Sequence, residues 1–404
     1  MNDDLCSPSR ADFSGEHGGI MPTISRNVSS TRWRIDAAHQ AGLKSHLDWK
    51  RAVHAFHYGE YFDSYLATEP GREDFWSSSG DGLISYTRRG KYVLVGGGLI
   101  APDDHKPELL RQFIEFLNKK NFRAAFHNIG DHELPLFREE GFQITKWGEE
   151  PVIDLGELTW SGKQYEWVRR QANFCRRHDL QAFEVPHQEL APEQWQWTLN
   201  EMLEVAAESL VSKPQNREMR FFEGRIGDHA LGLRRVFLVR SEGGLGRIEG
   251  FMVCTPIRGG TRWATELYRR RADAVRGTMP FLFQHVIQQM QDEGIQRVDL
   301  CLDPALRCAQ KLPGDSAMVR LGFVWGEKCL GSVFDVAGLR HFKTRFRPRY
   351  ENRYICVTPH VTIGSLLAFF QVSGLLDVNL RKLAKISVAR LRKFSARSTL
   401  TEVH

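Results

Sequence analysis

The stretch FKTRFRPRYENRY, residues 342–354, sets five cations among four rings: Lys343, Arg345, Arg347, Arg349 and Arg353. Its single carboxylate is Glu351. Guanidinium groups are seldom buried without a partner, so a run this basic is built to meet an anion or water. Phosphate suits such a set, because it accepts several charge-assisted hydrogen bonds at once. A second basic run, Arg169, Arg170, Asn173, Arg176 and Arg177, lies in VRRQANFCRRHDL at helical spacing. A third group, Arg276, Gly277 and Thr278, stands just before an apolar-periodic segment, where a helix start presents N–H groups and a cation to an anion. The ordinary readings of these features are a solvated basic helix face and a plain helix cap. The fifteen histidines and seven cysteines show no HExxH or CxxC spacing, which argues against a zinc site and a disulfide framework. No Ser-His-Asp or Cys-His pattern marks a covalent nucleophile, so direct attack on a substrate is the simpler chemistry.

The 404 residues suffice for two or three domains, and 42% hydrophobic with 26% charged residues is a globular balance. The net charge of +6 fits a polyanionic partner or an anionic membrane. Scattered cysteines predict a reducing, cytoplasmic setting. No run approaches the roughly 20 apolar residues of a spanning helix, and the start, MNDDLCSPSR, has no apolar secretory core. Residues 1–44 read as a flexible extension rich in Ser, Gly and Asp.

The elements that must position these groups follow one order twice. KYVLVGGGLIA (91–101) is an apolar strand, followed by a polar loop. A helix comes next, with Leu109, Leu110, Phe113, Phe116 and Leu117 on one face. FRAAFHNIG is a strand, DHELPLFREEGF a short helix, and QITKWGEEPVIDL a strand. RWATELYRR (262–270) opens the second copy as a strand, and RADAVRGT is its loop. The following helix carries Phe283, Val286, Ile287 and Met290, with Gly294 as its stop. IQRVDLCLD is a strand, GDSAMVRLGF a short helix, and VWGEK is expected to begin the next strand. Before this copy stand helices at 162–180 and 192–210, the strand QAFEVP, and a hairpin of 234–241 with 247–257. The pattern predicts an α/β (α+β) protein of two tandem modules, mixed central sheets flanked by helices, at 45–155 and 156–358. If 342–354 is one helix, Phe342, Phe346 and Tyr350 form a stripe, most simply a core stripe.

This element order resembles the core of GNAT-type acyltransferases, where a splayed strand pair admits an acyl donor. Five segments carry a closer resemblance: WGEEPVIDL (147–155), the 162–180 helix, ELYRRRADAVRGTMPFL (266–282), VDLCLDPAL (298–306) and GLRHFKTRFRPRYENRY (338–354). In that order they resemble the cytosolic catalytic part of bacterial aminoacyl-phosphatidylglycerol synthases, the phosphatidylglycerol lysyltransferase or multiple peptide resistance factor family. The chain departs from the family at Glu266 (usually Asp), Tyr268 (Met), Arg276 (Asn) and Tyr350 (Trp).

The resemblance implies transfer of an amino acid from aminoacyl-tRNA, the co-substrate, to a lipid hydroxyl such as that of phosphatidylglycerol, with no bound cofactor or metal. It implies that Glu266 is an acid/base or amino-group anchor, Arg269 a phosphate or carbonyl clamp, and Lys343 a cation for the oxyanion or the lipid phosphate. An ideal strand would turn Glu266 and Arg269 to opposite faces, so a bulge or splay is expected between them. Glu149 or Glu150 would meet a substrate ammonium, with a strand-end ion pair as the plainer alternative. Arg276, Gly277, Thr278, Arg345 and Arg353 would contact substrate phosphates, and the 169–177 run would bind tRNA. Two other readings remain open: a CoA-dependent N-acyltransferase of GNAT type, and a non-catalytic RNA- or membrane-binding module.

Residues 359–404 lie beyond the resemblance. LLAFF (366–370) is a short apolar run. In 380–394, Leu380, Leu383, Ala384, Leu391 and Phe394 oppose Arg381, Lys382, Lys385, Arg392 and Lys393 on a helical projection. That is the pattern of a helix lying on anionic lipid, so the protein is expected at the inner face of the cell membrane. A helix docked on the body is the alternative.

Overall fold

A computed structural model describes residues 46–187, 189–211, 221–226, 232–330 and 336–375. The N-terminal extension and the basic segment 380–394 lie outside the described residues.

The chain opens with helix α1 (His46–Tyr58) and an antiparallel meander, β1 (Glu73–Trp76), β2 (Leu83–Arg89) and β3 (Tyr92–Val95). Helix α2 (Lys106–Lys120) buries Leu109, Leu110, Phe113 and Leu117 and stops at Asn121, in the left-handed conformation. β4 (Arg123–Gly130) returns parallel to β3, and α3 (Leu134–Glu139) leads to the long β5 (Gln143–Asp154).

The second half begins with α4 (Glu166–Arg177), β6 (Gln181–Val185) and α5 (Pro192–Val211). A second antiparallel set follows, β7 (Arg235–Arg240), β8 (Ile248–Ile257) and β9 (Arg262–Arg270). Helix α6 (Thr278–Asp292) crosses to β10 (Arg297–Asp299), parallel to β9. Short β11 (Asp303–Pro304), α7 (Ala317–Leu330), α8 (Val336–Thr344), β12 (Arg349–Thr358) and α9 (Ile363–Ser373) complete the described chain.

The repeated order is visible in the two parallel crossovers. Each parallel pair is hydrogen-bonded only at its start. β4 pairs with β3 over Arg123–Phe126 and then runs on to Gly130 alone on that side, while β10 meets β9 only over Arg262–Ala264. In each pair one strand runs on after the pairing with its partner ends.

The twelve described strands form one sheet, in the order β1-β2-β3-β4-β12-β5-β10-β9-β8-β7-β6, with β11 on β5. The last long strand of each half crosses over. β12, from the second half, pairs with β4 of the first, and β5, from the first, pairs with β10 of the second. β5 and β12 also pair with each other along Gln143–Val152 and Arg349–Val357. The two halves thus exchange a strand each.

Two sequence expectations give way here. VWGEK is not a strand; Val324–Lys328 continues α7, which turns Val319 and Phe323 onto Trp147 of β5. Nor is 342–354 one helix. Arg347 takes a left-handed φ of 54° before Pro348, and the chain turns from α8 into β12. The residue before a proline disfavours the helical region, so the break is local chemistry. Phe342 and Phe346 stay together, with ring centroids 5.4 Å apart over Phe283, but Tyr350 sits on the strand beneath the Arg307 guanidinium.

Candidate active site

The β8–β9 pairing slips between Val253 and Thr255, so Thr265 and Glu266 together oppose Cys254. The irregularity expected between Glu266 and Arg269 thus falls at Glu266 itself, and Leu267–Arg270 pair regularly. The Glu266 and Arg269 side chains both reach one short segment, 221–226. Arg269 Nη2 donates to Glu223 Oε2 at 2.6 Å, and the Gly224 amide donates to Glu266 Oε1 at 2.6 Å.

Behind Glu266 lies Arg234, with Nε 3.3 Å from Oε2, and Arg234 also reaches Glu69 at 3.2 Å. Arg225, from the same 221–226 segment, meets Glu69 at 3.2 Å. Arg72 donates to the Phe221 carbonyl at 3.1 Å, which ties the segment to the first half. Burial pushes the Glu266 carboxyl above its ordinary value, against the pull of Arg234 and the Gly224 amide. A carboxylate so placed suits proton transfer better than a solvated one. Glu69, Arg72, Glu223 and Arg234 were not singled out from sequence. Arg234 alone of these carries a signal, charge in apolar company, since Arg234 and Arg235 head the strand RRVFLVR.

Lys343 departs from its expected role. Its Nζ is 2.8 Å from Asp303 Oδ1, 2.9 Å from the Cys301 carbonyl and 3.4 Å from that of Leu302. An ammonium has three protons, and here each faces a protein oxygen. Cys301, Ala305 and Arg307 all take positive φ, so this cation pins a tightly wound loop against α8 rather than facing a phosphate.

Glu149 and Glu150 are likewise engaged. Glu149 lies between Lys146 at 2.6 Å and Arg307 at 2.9 Å. Gly148 permits this approach, because a Cβ there would stand 2.4 Å from the Asp303 carbonyl oxygen of β11. Glu150, fully buried, faces Arg353 Nε at 2.7 Å across the β5–β12 pair. Arg353 also meets Glu351, and the chain of ion pairs runs on through Arg297, Asp299 and Arg262 to Glu60. Arg353, expected on a phosphate, is 3% exposed and belongs to this network. Its position on a central strand puts it out of reach of a bulky anion.

The remaining cations gather around α4. Arg170, Asn173, Arg176 and Arg177 are exposed on it, while Arg169 folds back onto the Gly162 carbonyl at 2.8 Å. Arg345, from the far end of the sequence, lies over Trp167 of α4 at 5.3 Å, and the exposed Arg276 accepts at its carbonyl from Cys175 of α4. Gly277 has φ 97° and abuts Gln171, so the loop before α6 packs on the same helix. The Thr278 hydroxyl is spent on the Val275 carbonyl at 2.7 Å. The structure thus brings the Arg345 side chain and the Arg276 backbone against α4 and leaves Thr278 inside the turn. Among the described residues no group of His, Cys, Asp or Glu is arranged to hold a metal ion.

A family model described as "Phosphatidylglycerol lysyltransferase, C-terminal" matches residues 51–357. Phosphatidylglycerol lysyltransferase of Bacillus subtilis (strain 168) is 23% identical over 302 residues, covering 72% of this chain and 33% of that protein. The chain spans about a third of the length of the curated relatives it matches. Among solved structures, the C-terminal domain of a putative lysylphosphatidylglycerol synthetase from Agrobacterium fabrum has a TM-score of 0.66 at 24% identity, over 82% of this chain and 96% of that one. L-PGS from Bacillus licheniformis has a TM-score of 0.67 at 22% identity, over 81% and 95%. The fold of those two structures is the fold of this chain.

Proposed function

The chain belongs to the phosphatidylglycerol lysyltransferase C-terminal family, and from that premise we propose that it moves an amino acid from aminoacyl-tRNA to the hydroxyl of a phospholipid such as phosphatidylglycerol. One observation carries the reading: the family match, 51–357, takes in every strand of the sheet and the whole Glu266 surround.

In this reaction the lipid hydroxyl oxygen attacks the carbonyl carbon of the aminoacyl ester. Its proton passes to the Glu266 carboxylate. The bond from the carbonyl carbon to the tRNA ribose oxygen then breaks, and that oxygen takes the proton from Glu266. No covalent enzyme intermediate is needed. Arg234 opposes the upward push of burial on Glu266, and Arg269, by holding Glu223, positions the 221–226 segment over it. The substrate hydroxyl reaches Glu266 by displacing the Gly224 amide from Oε1. The basic surface of α4 with Arg276 and Arg345 takes the tRNA phosphates. No described helix is long and apolar enough to cross a membrane. The basic C-terminal segment suits contact with anionic lipid on the inner membrane face.

The test is product formation. Purified protein incubated with charged lysyl-tRNA and phosphatidylglycerol vesicles is expected to yield a lipid heavier by one lysyl group, read by mass after extraction. Absence of any aminoacyl lipid across a panel of charged tRNAs, together with acetyl-CoA turnover on an amine, would transfer the protein to the CoA-dependent reading.

A further inference from the structure

Helices α7 and α9 rest on the same side of the sheet, both seated on Trp147. Phe323 of α7 lies 5.3 Å from its ring and Phe369 of α9 lies 5.5 Å away. Those inner contacts account for one side of each helix. The outer sides carry Met318, Leu321 and Trp325 on α7, and Ile363, Leu367 and Phe370 on α9, every one of them exposed. Trp325 is 64% exposed and Ile363 70%. Their spacings of three and four residues make a stripe on each helix. α9 contains no charged residue at all, although a helix facing water ordinarily sets charges on its outer side. Apolar side chains gathered in this way mark an interaction surface.

What covers it is indicated by two neighbours. The chain beyond α9, residues 376–404, holds seven Lys or Arg against Asp377 and Glu402. An apolar helix face followed in sequence by a run of cations matches an anionic bilayer, with hydrocarbon below and phosphate at the rim. Trp and Phe are the side chains that such a boundary favours. The second neighbour is the 221–226 segment. Phe221 and Phe222 pack on Phe369 with centroids 6.5 and 6.0 Å away, and two residues later Gly224 binds Glu266. The inner side of α9, whose outer side is apolar, and the carboxylate are therefore joined by one short segment.

We propose that the outer faces of α7 and α9 together form the surface that seats this protein on an anionic bilayer, entering the headgroup–acyl boundary beside the Glu266 site. The proposal rests on the lipid-acceptor reading above and names the part of the fold that reaches the lipid. A headgroup hydroxyl is available only at the bilayer surface, so the acid/base must be brought to that level.

The full-length triple variant Leu321→Ser, Trp325→Ser, Leu367→Ser tests it, beside the wild type and a chain ending at residue 375. Each is sedimented with vesicles of phosphatidylcholine containing about a quarter phosphatidylglycerol, and with phosphatidylcholine alone. The triple variant is expected to bind the anionic vesicles at least about tenfold more weakly at both low and high salt, with its thermal transition preserved. The truncated chain is expected to lose binding mainly at low salt. Aminoacylation of vesicle phosphatidylglycerol falls with binding in the triple variant, whereas turnover of a short-chain, water-dispersed phosphatidylglycerol stays at the wild-type level. A triple variant that sediments like the wild type overturns the proposal. So does one that loses only a concentration-dependent dimer, which would assign the face to a second copy of the chain. Wild type that binds through this face yet modifies neither lipid would sink the lipid-acceptor reading and leave the docking surface standing.

Discussion

At the scale of single residues, Glu266 and Lys343 show how burial changes what a charge can do. Both were expected to touch substrate. Lys343 is surrounded by three oxygen acceptors and has no proton left to give. Glu266 is held by Arg234 and one amide, and burial raises its pKa. A base must be ionised to accept a proton, so activity falls as pH falls through that pKa. The acid limb of the rate profile is therefore expected above the ordinary glutamate range. Glu266→Gln should lower kcat by roughly 10²–10⁴ and remove that limb. A variant with an unchanged profile would take the acid/base role away from Glu266. Arg353 sits at the opposite extreme. Its pairing with Glu150 costs desolvation on both sides, and removing one partner of such a pair typically costs about 3–5 kcal/mol. Its charge serves the centre of the sheet.

At the scale of elements, α4 is the clearest case of a helix whose two sides do different work. Val168, Ala172 and Cys175 are buried, while Arg170, Asn173, Arg176 and Arg177 face outward. Arg345 stacks on Trp167 of the same helix, and the Arg276 backbone packs against its buried Cys175. Charge reversal at two positions, Arg176→Glu with Arg177→Glu, is expected to raise KM for charged tRNA about tenfold or more at low salt while kcat changes little. Each lost phosphate contact should reduce the slope of log affinity against log salt by roughly 0.7, the value for single strands. Titrations of charged tRNA at several salt concentrations read both effects, and an unaltered slope would remove α4 from the tRNA interface. Elements also show where local pattern misleads. Val324 and Trp325 have strand-like side chains, yet they continue α7 because Val319 and Phe323, four residues apart, find Trp147. Tertiary packing outweighs a weak local preference.

At the scale of the whole molecule, the exchange of β5 and β12 makes each half complete the other. β12 stands between β4 and β5 of the first half, and β5 between β12 and β10 of the second. A chain cut between residues 155 and 156 should therefore give two fragments that do not fold cooperatively alone, since each lacks a central strand and exposes an unpaired edge. Co-expressed, they are expected to associate and show one thermal transition near that of the intact chain. Either fragment melting cooperatively by itself would show that the exchange is dispensable.

The sequence by itself determined the local elements and their repeated order. Helical periodicity placed α2, α4 and α6, apolar runs placed β4, β5, β8 and β9, and five segments in order carried the family. These are short-range properties, set by which residues stand three, four or two positions apart. Only the tertiary structure decided which charges meet each other and which meet the outside. Arg353 and Glu150 are 203 residues apart, and Arg234 and Glu69 are 165 apart, so no spacing rule links them. Whether an arginine faces phosphate or a buried carboxylate depends on the strand order, and that order is set by which apolar faces must be covered when both halves collapse together.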